Sequence, residues 1–132
     1  MLWDEASHAV GVAEMDQTHR EFASYVAALA KASTADFPAL FEQMRNHTRK
    51  HFEREYQRML ECSFPATTEH EAAHARVLAD LTHLSMRVQQ GNQVMARAYV
   101  AGLQDWFRDH LVTMDSALAA CIKAHTQAAQ PA

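Results

Sequence analysis

Chain breakers are scarce, with three Gly and three Pro in 132 residues. That scarcity, with abundant Ala, Leu, Met, Glu and Gln, favours long helices, and no strand signal appears. Cysteine is scarce too. Cys62 and Cys121 show no CxxC and no pairing signature, which excludes a disulfide framework and fits two small apolar residues in a reducing compartment. None is needed for folding, since a chain of this length buries roughly two-thirds of its unfolded surface. No apolar run approaches the ~18 residues that span a bilayer, and the start of the chain lacks the basic and apolar regions of a signal peptide. The expectation is a soluble cytoplasmic protein with no direct membrane insertion. No basic patch is present and the formal charge is −4, so nucleic acid is excluded as a partner. What the chain has in excess is histidine, nine in all.

Apolar spacing and turn residues divide the chain into four helices after an aperiodic arm at about 1–15. The first helix is expected at about 16–32, capped by Asp16, with Phe22, Ala23, Val26 and Leu29 inward. The second, about 37–62, opens on Asp36-Phe37-Pro38 and stops before Pro65. The third, about 67–90, starts near a possible capping box, Thr68-x-x-Glu71, and ends at Gly91-Asn92. The fourth, about 93–124, carries Leu103, Trp106, Phe107, Leu111 and Leu118. Short connections make this one all-α domain, an antiparallel up-down-up-down four-helix bundle.

Five histidines fall on the apolar stripes of these helices. His51 and Glu55 are four apart, as are His70 and His74. A spacing of four turns a helix by only ~40°, so each pair projects from one face. His19 and His110 join the inward set. Asp115 lies five beyond His110, a turn of ~140° in a straight α-helix. Either a widened, π-like turn separates the two, or side-chain reach closes the gap.

Unpartnered, such groups in an apolar core cost several kcal/mol each; a metal site satisfies them together. If each histidine gives one bond and each carboxylate bridges, the seven residues and a bridging oxide or hydroxide fill eleven of the twelve positions of two six-coordinate ions. One position is left for an outside ligand. A lone zinc on an i,i+4 pair leaves His19 and Asp115 unexplained. A ferritin-like di-iron site requires two Glu-x-x-His motifs on its helices, and within the four expected helices only Glu71-x-x-His74 is present.

The text Val10-Gly11-Val12-Ala13-Glu14-Met15-Asp16-Gln17-Thr18-His19, His51-Phe52-x-x-Glu55, His70-x-x-x-His74 and Trp106-x-x-x-His110-x-x-x-x-Asp115 resembles the hemerythrins, especially the single-domain bacterial ones. The resemblance implies two non-haem irons. His70, His74 and His110 would hold one, His19 and His51 the other, with Glu55 and Asp115 bridging alongside an oxide or hydroxide. It further implies reversible binding of dioxygen, for carriage, storage or delivery to an oxygen-using enzyme. In the family, O2 takes two electrons from the diferrous pair. O2 or redox sensing, and an oxidase- or peroxidase-type enzyme, are the alternatives; a non-enzymatic monomer is the expectation. Phe22, Phe52, Trp106, Leu111 and Met114 are candidates for the wall of an O2 pocket. His47, one turn before His51, is a candidate partner for a ligand. His8, His83 and His125 read as solvated, and Trp3 as a pin for the arm.

Overall fold

The computed structural model describes residues 3–129, and among these helix is the only regular secondary structure. A single turn, α1 (Glu5–His8), precedes α2 (Ala13–Lys31), α3 (Phe37–Glu61) and α4 (Thr67–Gln89). The last rod is continuous: α5 (Val94–His110), a π-helical turn (Leu111–Asp115) and α6 (Ser116–Ala129). Both α3 and α5 pack against α2 and α4, which closes the rods into a four-helix bundle. The short links between rods make chain neighbours antiparallel. No helix among the described residues is long and apolar enough to cross a membrane.

The interior has three sections along the bundle axis. A large apolar section contains Phe22, Leu29, Phe37, Phe41, Leu81 and Leu103. A small one at the opposite end contains Met15, Met59, Leu118 and Ala119. Between them lie the inward histidines and carboxylates, so α2, α3 and the last rod enter and leave the polar band through apolar packing. This clamps the band on both sides.

The arm departs from the sequence reading. It contains a capped turn: Asp4 accepts from the Ala6 N–H at 3.2 Å and the Ser7 hydroxyl at 2.8 Å. The Asp4 N–H donates to His8 Nδ1 at 2.9 Å. His8 is half-buried, its ring 5.3 Å from Trp3 and 6.5 Å from Phe107. Trp3 in turn lies under the Arg20 guanidinium, 5.6 Å away, and so ties the arm to α2. Asp16 is not an N-cap, because α2 begins three residues earlier. Its carboxylate instead accepts from the N–H groups of Val10, at 2.8 Å, and Gly11, at 3.2 Å. Gly11 has φ +82°, a left-handed conformation that favours glycine, whereas the Lys123 side chain that a Cβ would meet can swing aside.

The expected capping box of α4 does not form. The N-cap is Ala66, and the Thr67 hydroxyl donates back to the Phe64 carbonyl at 2.7 Å. With the helix started at Thr67, Thr68 is already inside it. At the other end Gly91 (φ +88°) closes α4, with N–H bonds from Gly91 to Val88 and from Asn92 to Arg87, both 3.0 Å. His83 and His125 are exposed, as their sequence positions indicate.

Candidate metal centre

Every rod contributes to the polar band: His19 from α2, His51 and Glu55 from α3, His70 and His74 from α4, His110 and Asp115 from the last rod. All seven are buried. The i,i+4 pairs share faces as helical geometry requires. The five-residue step is met by the π-turn, in which i→i+5 bonding sets residues five apart one above the other. The Ser116 N–H donates to the Leu111 carbonyl, and the Ser116 hydroxyl donates to the same oxygen at 2.8 Å. Ser116 thus seals the widened turn, a role no local pattern signalled.

The donors form two groups. In the first, Glu55 Oε1 lies 3.1 Å from His70 Nε2 and 3.3 Å from His74 Nε2. Asp115 Oδ1 lies 3.2 Å from both His70 Nε2 and His110 Nε2. In the second, Glu55 Oε2 meets His51 Nε2 and stands 3.4 Å from His19 Nε2, and Asp115 Oδ2 is 3.4 Å from His19 Nε2. The five atoms of the first group lie within 4.8 Å of one another. Ligands on a six-coordinate ion with bonds of ~2.0–2.3 Å stand ~2.8–3.3 Å apart along edges and ~4.0–4.6 Å across the diagonal. The donor set fits a cation on that scale.

Hydrogen bonding without a cation leaves conflicts. His74 Nε2 faces His110 Nε2 at 3.2 Å, and at most one proton can lie between two imidazole nitrogens. His19 Nε2 and both Asp115 oxygens are buried and make no hydrogen bond. Protonation is a partial remedy. Burial pushes the His70 imidazole down, but its contacts with Asp115 and Glu55 outweigh this and raise it to about 9. His19 is likewise raised, against burial, by Glu55 and Asp115. Burial lowers His74. For Glu55, burial acts upward, yet the charge of His51 and contacts with His19, His51 and His70 hold it well below the ordinary carboxylate range. Asp115 is lowered too, contacts with His110 and His70 overcoming burial and the Glu55 charge. The band is therefore an anionic pair among competing imidazoles, the environment a metal ion resolves.

Aromatic rings line the first group. Phe52 stacks on His74, centroids 3.7 Å apart and planes 1° from parallel, and Trp106 stacks on His110 at 4.6 Å. Met114 borders a hollow of about 70 Å³ beside His70, with Phe64 and Glu69. Phe22 packs on Phe107, which stands edge-on to His19 at 5.2 Å. Leu111 is buried in the large apolar section. Three of the five pocket candidates thus flank the first group, and the ring that covers His19 is Phe107, which the sequence reading placed only in the core. His47 makes no hydrogen bond to a ligand. Its ring lies 6.4 Å from His51 and 5.3 Å from Tyr25, with Nε2 3.6 Å from Glu21. The group near a ligand's outer nitrogen is Glu71, whose Oε1 is 3.4 Å from His74 Nδ1; its spacing from Thr68 had disguised it as a capping residue.

Known proteins resemble this chain in sequence and in fold. The chain matches the Hemerythrin HHE cation binding domain over residues 10–122. A curated relative, the bacteriohemerythrin of Ralstonia nicotianae, is 34% identical over 113 residues, covering 86% of this chain and 82% of the relative. The fold superposes on wild-type hemerythrin with a TM-score of 0.83 at 18% identity, covering 92% of this chain and 97% of the other. A mutant hemerythrin gives 0.81, with 92% and 96% covered. At that identity the structural likeness speaks for the fold, and the family follows from the sequence matches: the chain belongs to the hemerythrin HHE cation-binding family.

Proposed function

We propose that the chain binds dioxygen reversibly at a pair of iron ions held between its rods. The observation that supports this most strongly is how the two carboxylates divide their oxygens. Glu55 turns Oε1 toward His70 and His74 and Oε2 toward His19 and His51. Asp115 splits in the same sense, Oδ1 toward His70 and His110 and Oδ2 toward His19. Carboxylates so placed can each serve two cations at once. The five donors of the first group exceed the four of a structural zinc site and suit a six-coordinate ion such as iron.

In this reading His70, His74 and His110 would hold one ion. His19 and His51 give the other only two nitrogens, which leaves room for an outside ligand. Bound there, ferrous ions supply the electrons that dioxygen takes up. The chain's own residues fix the imidazoles, hold the carboxylates anionic and exclude water with Phe22, Phe107 and the apolar sections. The relative's name, bacteriohemerythrin, agrees with this assignment.

Cycling between vacuum and air tests the proposal. The anaerobically reduced, iron-loaded protein should gain charge-transfer bands in air and lose them under vacuum, repeatedly. Bands that bleach irreversibly with product release would indicate an enzyme, and a single zinc per chain would remove the basis of the proposal.

A further inference from the structure

The cysteines, 59 positions apart with no sequence signature, meet at the end of the bundle below the polar band. Cys62 caps the C-terminus of α3, and Cys121 lies on α6. The Cys121 thiol donates to the Cys62 carbonyl at 3.2 Å, and the Cys62 thiol points to the Met59 carbonyl at 3.9 Å. The Cys121 sulfur therefore lies against the backbone of Cys62 itself. Both are free and half-buried, with Met59, Phe64, Leu118 and Ile122 forming the small apolar section around Cys62.

We propose that Cys62 and Cys121 form a dithiol site that a peroxide oxidises to a reversible intrachain disulfide, linking the end of α3 to α6. One thiol sulfur attacks the peroxide O–O bond, which breaks, giving a sulfenic acid and one water. The second sulfur displaces the sulfenic hydroxyl, the S–S bond forms and a second water leaves. The S–H protons depart in the two waters; the sulfurs together lose two electrons and hydrogen peroxide gains them.

Two features shape this chemistry. Burial and the neighbouring Cys121 push the Cys62 thiol up to about 12, so Cys62 is protonated at neutral pH and the cross-link should form faster as pH rises. Ser63 follows Cys62 with φ +55°, so the chain leaves α3 immediately after the cap, and a small adjustment of Cys62 need not unwind the helix. The link spans the two rods that carry Glu55 and Asp115, seven and six residues before the respective cysteines.

The full chain, treated with stoichiometric hydrogen peroxide, should go from two titratable thiols to none. Its intact mass should fall by two hydrogens, it should stay monomeric on a non-reducing gel, and digestion should yield a Cys62–Cys121 peptide pair. Dithiothreitol should restore both thiols, and the oxidised form should melt at a higher temperature than the reduced form. Cys121→Ser, which leaves the rest of the small apolar section intact, should show no two-hydrogen loss. Diamide should give the same link in the absence of peroxide. Retention of both thiols, sulfinic or sulfonic acids without a cross-link, or disulfide-linked dimers would overturn the proposal.

Discussion

The large apolar section and the polar band are buried to the same degree yet held together by opposite means. Phe37 and Phe41 are fully enclosed, as are His19 and Asp115. In the apolar section every contact is its own reward, such as the stacking of Phe37 on Phe41 at 5.7 Å. In the band the buried atoms are lone pairs and charges that satisfy one another poorly. Equal burial therefore carries unequal meaning: one section supports the fold unaided, the other depends on what it binds.

Removing the metal should break the symmetry most. With free ion at ~1,000 times Kd, each site is worth about 4 kcal/mol, so chelation should lower Tm by on the order of 10 °C or more while circular dichroism still reports a helical bundle. Phe41→Ala attacks the other section and should cost about 3–5 kcal/mol with or without metal, read by denaturant titration. His51→Ala should sharpen the division within the band. Its nitrogen faces only the second donor group, so metal content should fall from two ions to one, whereas Lys31→Ala should leave it unchanged.

The pH response should also separate the two states. In the metal-free fold His70 is raised to about 9 from 6.5. Its stabilising contribution is complete below 6.5 and is lost as pH rises through about 9. Metal displaces that same proton, so loading at pH 7 should release acid, less as pH passes 9, while apparent affinity rises over the window. Calorimetry in buffers of different ionisation enthalpy measures the proton count. The smallest effect is Gly102→Ala. Gly102 borders a cavity of about 260 Å³ with Tyr99 and Trp106, and a Cβ there meets nothing within 4 Å. The glycine therefore serves no close helix approach, and alanine should stabilise by up to about 1 kcal/mol.

What could be read from the sequence was what repeats locally. The rods and the convergence of His51 with Glu55 and of His70 with His74 follow from helical period, and the ends near Pro65 and Gly91 from local chain breakers. The π-turn was legible as a contradiction, since a five-residue step between two inward ligands fits no straight α-helix. The reading failed where partners are distant or a residue has two plausible uses. Asp16 looked like a helix cap because it precedes an apolar run, but its acceptors serve the turn at Gly11. Glu71 looked like a capping residue because it stands three after Thr68, but α4 starts one residue earlier, where the Thr67 hydroxyl donates to the Phe64 carbonyl. Phe107 over His19, and Cys121 against Cys62, are contacts between rods that no local pattern encodes.

The central claim is tested most directly by metal content together with X-ray absorption fine structure on the iron-loaded chain. The account predicts two irons per chain, each seeing the other at ~3.5–4 Å through a shell of nitrogen and oxygen. One iron per chain, or two with no iron–iron scattering, would contradict it.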